Sequence, residues 1–311
     1  MIELRNLTKK FGQNTAVDSL SLVVRPGAVT GFLGPNGAGK STTMKMILGL
    51  VRPTSGQVLV DGVPYSRLKD PIRKLGALVD PEAVNPNFTA RQHLALMATA
   101  GGIGMERVAH LLKQTGLETA QHRRIGEFSL GMRQRLGIAA ALLGDPETVI
   151  LDEPFNGLDV DGIKWLRALT KGLAEQGKAV FVSSHLMSEV EAIADRVVVL
   201  AQGRLIADMT IDQLMKANLS THVRVRSEDD RKLAAAVTKA GGAVRQSSNG
   251  TILVNSMEME EIGKMAKELG LAIFELTSAR PSLEDLFVEL TAGSVEFQGQ
   301  TALNGRGDAI W

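Results

Sequence analysis

The chain has 311 residues, of which 44% are hydrophobic and 22% charged, as in globular proteins large enough for two domains. It contains no cysteine, which excludes disulfides, thiolate catalysis and zinc–thiolate sites. The formal net charge of +1 gives no long-range reason to expect nucleic acid or an anionic membrane as a partner. The N-terminus has no apolar secretory stretch, and the longest charge-free apolar run, residues 136–144, is about half of a membrane helix. We therefore expect a cytoplasmic protein.

The first part of the chain predicts strands on both sides of a glycine-rich loop. Residues 2–10, 19–27 and 56–62 have the apolar patterning of strands, and we expect the first two to pair antiparallel. Residues 28–33 (AVTGFL) form a continuous apolar run, which is typical of a buried strand.

The loop at residues 34–42 (GPNGAGKST) fits the pattern G-x-x-x-x-G-K-[ST]. In this pattern the glycines let backbone N–H groups surround an anion, Lys40 reaches the β- and γ-phosphates of a nucleotide, and the hydroxyl of Ser41 ligates Mg²⁺. Residues 41–50 predict a helix, so the phosphates would lie at a helix N-terminus. A structural glycine turn is the weaker alternative. The residues predicted to bind the nucleotide here are Gly34, Pro35, Asn36, Gly37, Ala38, Gly39, Lys40, Ser41 and Thr42.

A second motif, at residues 148–154 (TVILDEP), ends an apolar strand in two carboxylates. Beside a bound triphosphate, Asp152 is suited to contact Mg²⁺ through its water shell, and Glu153 is suited to act on the attacking water. The alternative is that the two acids cap a helix or a loop.

Two further segments are ambiguous when each is taken alone. Ser129 and Gly131 precede a predicted helix, where N–H groups again suit an anion, but Ser129 is also typical of an ordinary N-cap. His185 closes the apolar strand at residues 179–185, and a lone histidine there is more often structural than catalytic.

Two changes of pattern divide the chain. Up to about residue 206, short apolar runs alternate with helical segments, which predicts a largely parallel sheet with a helical insert at about 86–145. Residues 221–290 then follow a β-α-β-β-α-β order. We expect an α/β protein with domains at 1–215 and 221–291. The tail at 292–311 is polar, rich in glycine and aperiodic, so we expect it to be disordered.

The motifs, taken in order, resemble those of the ATP-binding subunits of ABC transporters. Residues 34–42 match the Walker A loop, SLGMRQ at 129–134 is a variant of the signature sequence, VILDEP at 149–154 matches Walker B, and NGLD at 156–159 matches the D-loop. The resemblance covers about residues 2–215.

This resemblance implies a P-loop NTPase core with an antiparallel β subdomain and a helical subdomain, followed by the small C-terminal α+β domain. It also implies that Glu153 is the catalytic glutamate, that His185 is the switch histidine and that the ring of Phe11 stacks on adenine.

The family mechanism implies a dimer, either a homodimer or a pair with another ATPase subunit, that closes on two ATP molecules. Each ATP would be held by Gly39, Lys40 and Ser41 of one subunit and by Ser129 and Gly131 of the other. The cofactors would be ATP and Mg²⁺. The partner would be a separate membrane permease that holds the subunit at the cytoplasmic face of the cell membrane, and no nucleic acid is expected.

One position departs from the family pattern. The family has glutamine, or glutamate in some exporters, in the loop that senses Mg²⁺ and the permease, and Asp80 occupies that position here. Aspartate keeps an oxygen donor for a hard cation, but it is one methylene shorter, so we expect a bridging water. Glu82 fills the position if the loop is shifted by two residues.

Softer features favour one subset of the family. The SLGM signature and the C-terminal SLEDLFVELT at 282–291 resemble subunits that serve exporters of drugs, antibiotics or lipids. The alternatives are a nutrient-importer subunit and a non-transport ABC ATPase that acts on ribosomes or DNA.

We expect the permease to contact residues 84–100. Val84 and Phe88 are the favoured contacts because they lie in a loop rich in Pro and Asn, whereas Leu94 and Leu96 are expected to pack within their own subdomain.

Overall fold

The computed structural model describes residues 1–213, 222–246, 251–255 and 257–279. The strands are β1 (Ile2–Phe11), β2 (Asn14–Val24), β3 (Ala28–Leu33), β4 (Ser55–Val60), β5 (Leu75–Leu78), β6 (Thr148–Leu151), β7 (Ala179–Ser184), β8 (Arg196–Ala201), β9 (Arg204–Thr210), β10 (His222–Ser227), β11 (Ala243–Gln246), β12 (Ile252–Asn255) and β13 (Ile273–Ala279). The α-helices with described bounds are α1 (Lys40–Ile47), α2 (Pro71–Lys74), α3 (Ala90–Ala100), α4 (Met105–Gln114), α5 (Leu130–Ala141), α6 (Val160–Glu175), α7 (Met187–Glu191), α8 (Asp230–Lys239) and α9 (Met259–Glu268). The tail predicted to be disordered, residues 292–311, lies outside the described residues.

The central sheet has six strands in the order β5-β6-β7-β3-β8-β9. Strands β5, β6, β7, β3 and β8 are parallel to one another, and β9 pairs antiparallel with β8. This arrangement confirms the predicted, largely parallel sheet. Strands β6 and β7 are buried along their whole length, as is usual for central strands covered on both faces. Because β3, β6 and β7 are parallel neighbours, the three motifs that follow them meet at one edge of the sheet.

The sheet is packed on both faces. The rings of Phe32 on β3 and Phe181 on β7 have centroids 4.9 Å apart. Helix α6 packs against β3 and β7 and buries Leu166 and Leu173. This close packing gives the strand ends a fixed position relative to one another.

An antiparallel sheet with the order β2-β1-β4 stands beside the central sheet, as predicted. Its inward side chains, such as Leu4 and Leu20, share a core with Met44 and Ile47 of α1. The β1–β2 hairpin thereby brings Ala16 against the glycine-rich loop.

Lys178 joins the turns that precede β6 and β7. Its Nζ donates to Asp145 Oδ1 and to the carbonyl oxygen of Pro146, both at 2.9 Å. The hydrogen bond from Lys178 lowers the pKa of the Asp145 carboxyl. Lys178 therefore links the two strands that carry the acidic and histidine motifs at their N-terminal ends.

Helices α3, α4 and α5 form the predicted helical insert and share a core that includes Leu94, Leu111 and Ile138. The prediction for residues 84–100 was partly wrong. Leu94 is buried as expected, but Leu96 is 60% exposed, whereas Val84 and Phe88 are half-buried against the core of the insert. The sequence pattern did not reveal that the loop folds back onto this core.

The C-terminal part has the predicted β-α-β-β-α-β order, with the sheet order β11-β12-β10-β13. Helices α8 and α9 bury Leu233 and Ile262 in one core with Val225 and Val254. Residues 280–291, the predicted end of this domain, lie outside the described residues.

Candidate nucleotide-binding site

The loop between β3 and α1 leads directly into an uncapped helix. Gly37 and Gly39 have φ angles of 83° and 101°, in the left-handed region that favours glycine. Helix α1 begins at Lys40, and its N-cap residue, Gly39, makes no side-chain capping hydrogen bond. The first N–H groups of α1 are therefore available to an anion at the helix N-terminus.

Two glycines of this loop lie close to neighbouring backbone. A Cβ at Gly34 would lie 2.6 Å from the carbonyl oxygen of Leu200, and a Cβ at Gly39 would meet the carbonyl oxygen of Ala16. The loop is therefore held between the end of β8 and the β1–β2 hairpin. Any larger residue at these positions would displace the loop.

Lys40 is buried, with 6% of its surface exposed, and lies over the loop. Its Nζ donates to the carbonyl oxygens of Gly34 at 2.7 Å and Pro35 at 3.3 Å. The same Nζ is 3.5 Å from Glu153 Oε1. The ammonium group is thus directed into the concave side of the loop, where a phosphate would place its negative charge.

Glu153 and His185 meet across the ends of β6 and β7. Glu153 Oε2 is 2.8 Å from His185 Nδ1 and accepts a hydrogen bond from the backbone N–H of His185 at 3.2 Å. Together with Lys40, these residues form a connected cluster of an ammonium, a carboxylate and an imidazole. The sequence alone left His185 ambiguous, and its contact with Glu153 favours the functional interpretation.

Asp152 lies beside this cluster and is almost fully buried. Its Oδ1 accepts a hydrogen bond from Ser183 Oγ, which in turn accepts one from the backbone N–H of Glu153 at 2.9 Å. Ser183 therefore links both acidic residues to β7. Glu153 itself has a φ of 48°, a conformation that costs energy for a residue other than glycine.

The loop and the cluster enclose a cavity of about 290 Å³, which we call the nucleotide cavity. Its lining residues are Ala16, Pro35, Asn36, Gly37, Ala38, Gly39, Lys40, Ser41, Thr42, Glu153, Asn156 and His185. Eight of the nine residues predicted for the phosphate loop are in this lining, and the ninth, Gly34, contributes the carbonyl that holds Lys40.

A second cavity of about 360 Å³, which we call the side cavity, adjoins the first. Ser41, Glu153 and Asn156 line both cavities. The side cavity is also lined by Asp152, Asp80 and Glu82. Asp80 and Glu82 are the two candidates for the position at which the family has glutamine or glutamate.

The two candidates differ in their contacts. Asp80 Oδ1 accepts from the backbone N–H of Glu82 at 3.0 Å, and Glu82 Oε1 is 3.5 Å from Arg133 Nη1. Asp80 therefore shapes the loop, while Glu82 is paired with helix α5.

The side cavity supplies oxygen donors but no complete metal cage. Ser41 offers a hydroxyl, and Asp152 and Asp80 offer carboxylates, which are ligands that Mg²⁺ prefers. Within the described residues, no group of three or more His, Cys, Asp or Glu side chains is arranged to hold a metal ion. This donor set fits Mg²⁺, which keeps several waters and commonly arrives with a phosphate.

Within the described part of the chain, residues 129–134, the signature segment, contribute Leu130 and Gln134 to the side cavity but no residue to the lining of the nucleotide cavity. Ser129 is the N-cap of α5 and accepts from the backbone N–H of Met132 at 3.2 Å. A Cβ at Gly131 would lie 2.6 Å from the carbonyl oxygen of Gly157. Neither Ser129 nor Gly131 is among the described residues that line the nucleotide cavity.

Phe11 ends β1 and is 52% exposed. Lys9 Nζ lies 4.7 Å from the centre of its ring. Phe11 is outside the lining of the nucleotide cavity but close in sequence to Ala16, which belongs to it. Its stacking on adenine stays a prediction.

Sequence reasoning assigned no role to three residues at the cluster. Ser183 holds Asp152 and Glu153, Asn156 lines both cavities, and Gln134 donates to the carbonyl oxygen of Glu153 at 3.2 Å. A hydroxyl at the end of an otherwise apolar strand could have indicated Ser183. Gln134 and Asn156 lie within the SLGMRQ and NGLD motifs, but neither was assigned a role of its own.

Comparison with known proteins shows the family. A family model described as ABC transporter matches residues 17–156. The bacitracin transport ATP-binding protein BcrA of Bacillus licheniformis is 38% identical over 300 residues, covering 94% of this chain and 98% of BcrA. The chain belongs to the ABC transporter family. It is an ATP-binding subunit with ATPase activity.

Other similar proteins agree with this ABC ATPase assignment. The lantibiotic transport ATP-binding protein SrtF of Streptococcus pyogenes is 38% identical over 212 residues, covering 68% of this chain and 92% of SrtF. A solved ATP-binding subunit of an ABC transporter is 29% identical with a TM-score of 0.65, covering 70% of this chain and 92% of that structure. The cassette MJ0796, solved as a post-hydrolysis dimer bound to ADP and Pi, is 27% identical with a TM-score of 0.62, covering 68% of this chain and 99% of that structure.

Two further findings concern the rest of this ABC ATPase. Residues 221–284 match a model described as a domain of unknown function. Among the described residues, no helix has both the length and the apolar character needed to cross a membrane.

Proposed function

We propose that this ABC ATPase powers the export of a drug, an antibiotic or a lipid through a separate permease. The observation that carries the proposal is the cluster of Lys40, Glu153 and His185 at the mouth of the nucleotide cavity. Two relatives aligned over nearly all or two thirds of the chain are named for bacitracin and lantibiotic transport. These names favour an exporter over the alternatives of a nutrient importer and of an ATPase acting on ribosomes or DNA.

The phosphates of ATP bind the start of α1. The uncapped N–H groups of the helix and the ammonium of Lys40 supply donors and positive charge on the same side of the loop. Binding exchanges the carbonyl contacts of Lys40 for stronger contacts to anionic oxygens. Phe11, at the exposed end of β1, stacks on the adenine ring.

Hydrolysis depends on the carboxylate of Glu153. It accepts a proton from the attacking water while the bond between the γ-phosphorus and the bridging oxygen of ADP breaks, which gives ADP and phosphate. His185 orients this carboxylate through its Nδ1 and its backbone N–H. Lys40 lies close enough to balance the negative charge that develops on the phosphate.

Mg²⁺ would be held by Ser41 directly and by Asp152 and Asp80 through water, and when bound it would neutralise phosphate charge. Ser183 keeps Asp152 in place for this purpose. The short Asp80 side chain suits a bridging water better than direct contact.

Two copies of the chain, or this chain and a paired ATPase subunit, complete each other's sites. Ser129 and Gly131 lie outside their own nucleotide cavity, and the similar cassette MJ0796 was solved as a dimer. We assign Ser129 and Gly131 to the ATP bound by the partner subunit.

The chain divides into an ATPase domain, residues 1–215, and an accessory domain, residues 221–291. Strand β9 ends the central sheet at Thr210, and β10 begins a separate sheet at His222.

The direct test of the catalytic assignment is Glu153→Gln. The amide keeps the size of the side chain but cannot accept the proton, so turnover is expected to fall by about 10²- to 10⁴-fold with ATP still bound. Glu147→Gln is the matched control, because Glu147 is an acid on the surface that pairs with Lys74. Full hydrolysis by Glu153→Gln would remove Glu153 from this role.

The permease contacts an apolar surface on α2 and α3 and thereby holds the subunit at the cytoplasmic face of the membrane. Leu96 is 60% exposed on α3. One turn further, Ala100 lines an apolar cavity of about 380 Å³ together with Ile72 and Met97. A short helix of the permease with apolar side chains fits such a groove. Val84 and Phe88 support this surface from the adjoining loop, since they pack on the core beneath it.

Leu96→Asp tests this surface. Co-expressed with its permease, the unmodified chain is expected to stay on membranes after a salt wash, because an apolar contact is weakly screened by salt. Leu96→Asp is expected to shift to the supernatant and to keep the ATPase activity of the isolated chain. The control is Leu50→Asp, at a leucine that is 69% exposed outside this surface. Equal retention of both variants would exclude the surface.

A further inference from the structure

Gln134 has a buried side-chain amide whose nitrogen forms a hydrogen bond within the described residues, whereas its oxygen forms none. It lies on α5 and is 2% exposed. Its Nε2 donates to the carbonyl oxygen of Glu153 at 3.2 Å, whereas its Oε1 is buried with no hydrogen-bond partner in the described part of the chain. Gln134 also lines the side cavity, together with Asp152 and Glu153. The amide is therefore placed to act on the catalytic loop as well as to fill space beside the core.

The acceptor of this hydrogen bond is the strained residue of the site. Glu153 has a φ of 48°, and its peptide groups are held on both sides. Its N–H donates to Ser183 Oγ, and its carbonyl oxygen accepts from Gln134 Nε2 and from the backbone N–H of Asn156 at 3.2 Å. These contacts fix the direction of the Glu153 side chain, which points to Lys40 and His185.

Glu153 lies in the loop between β6 and α6, and helix α5 contacts this loop at a second point. Gly131 lies so close to the carbonyl oxygen of Gly157 that a Cβ there would be 2.6 Å from it. Gly131 and Gln134 are three residues apart and so lie on one face of the helix. This face contacts the loop at Glu153 and at Gly157, and Ser129 is the N-cap of the same helix.

We propose that Gln134 is a positioning residue that ties the backbone of Glu153 to α5, so that the catalytic carboxylate follows the signature helix. This inference rests on the proposed function, in which Ser129 contacts the ATP of the partner subunit. A shift of α5 when that ATP binds is transmitted through the Gln134 amide to the peptide of Glu153. In the dimer, the position of the catalytic carboxylate at each ATP site thereby depends on ATP bound at the other site.

Gln134→Met removes the amide and also the unpaired oxygen. We expect kcat to fall by about tenfold or more, with the KM for ATP within about threefold of the unmodified chain, because a hydrogen bond that orients a catalytic group acts on the chemical step. The Hill coefficient for ATP is expected to fall toward one. The melting temperature is expected to change little, since methionine has a similar length and volume.

Thr170→Val is the matched control. Thr170 is fully buried on α6, and its hydroxyl donates to the carbonyl oxygen of Leu166 in its own helix. Its substitution also removes a buried polar atom from a helix, but far from the loop, so kcat is expected to be unchanged. If Thr170→Val lowers kcat as much as Gln134→Met does, a general packing effect explains both and the proposal is wrong.

A double variant separates this inference from the function on which it rests. In single-turnover measurements on Glu153→Gln, adding Gln134→Met is expected to change the rate by less than about twofold, because Gln134 acts through Glu153. A further tenfold loss in that background would show an independent action and overturn the proposal. Inactive Glu153→Gln with fully active Gln134→Met overturns only the positioning role. Fully active Glu153→Gln overturns the catalytic role of Glu153 in the proposed function and the inference together.

Discussion

Helices α1 and α5 begin in similar ways but are exposed to different surroundings. Each follows a segment with small residues, and each has free N–H groups in its first turn. At α1 the N-cap Gly39 offers no side chain, and Lys40 and Ser41 line the nucleotide cavity. At α5 the hydroxyl of Ser129 already accepts from Met132, and Ser129 is not among the described residues that line the nucleotide cavity, although Leu130 lines the side cavity.

The start of α1 belongs to a site that is built within one chain, whereas the start of α5 belongs to a site that needs a second subunit. An uncapped helix start beside a buried ammonium can bind an anion with no other subunit present. A capped start outside the lining of the nucleotide cavity contributes only when another molecule brings the anion to it. The following predictions compare these two helix starts.

Lys40→Ala gives the larger effect, because it removes the buried ammonium at the start of α1. Loss of a charge-assisted hydrogen bond is expected to weaken ATP binding by roughly 10- to 100-fold. Lys45→Ala is the control, since Lys45 is an exposed lysine on the same helix. Fluorescence titration with an ATP analogue measures both affinities. Equal affinity in the two variants would mean that α1 is no different from any basic surface helix.

Ser129→Ala gives a smaller effect and a different one. Removing the cap is expected to cost about 1 kcal/mol of unfolding free energy. Hydrolysis is expected to fall more than stability explains, while the affinity of the single chain for ATP stays unchanged because Ser129 is not at its own cavity.

Asp229→Ala is the matched control for this loss of a cap. Asp229 caps α8 through the same kind of bond, accepting from the backbone N–H of Lys232 at 3.0 Å. It is expected to lose similar stability and no ATPase activity. If the two variants lose ATPase activity equally, Ser129 has only a capping role.

Features formed by residues close together in sequence were predicted well, whereas features that depend on contacts between distant segments were predicted less well. The strand, loop and helix around Lys40 are contiguous in sequence, so their pattern predicted both the fold and the cavity lining. The meeting of Glu153 and His185 depends on β6 and β7 being parallel neighbours, which the alternation of strands and helices indicated only in general terms. The exposure of Leu96 depends on tertiary packing and was predicted wrongly.

The hydrogen-bond partners of the cluster were the least predictable part. Ser183 and Gln134 are distant in sequence from Glu153 and contact its backbone, not its side chain. No spacing rule connects a residue to a peptide group on another element. Such contacts become visible only when the elements are packed.

The most direct test of the composite site mixes Lys40→Ala subunits with Ser129→Arg subunits. In a heterodimer of these variants, one composite site carries both changes and the other carries neither. With random pairing, half of the dimers are heterodimers, each with one intact site, so about a quarter of the unmodified ATPase activity is the upper expectation. The account predicts that the mixture exceeds both parents. Activity no higher than that of either parent, with heterodimers demonstrated by a tag on one variant, would contradict it.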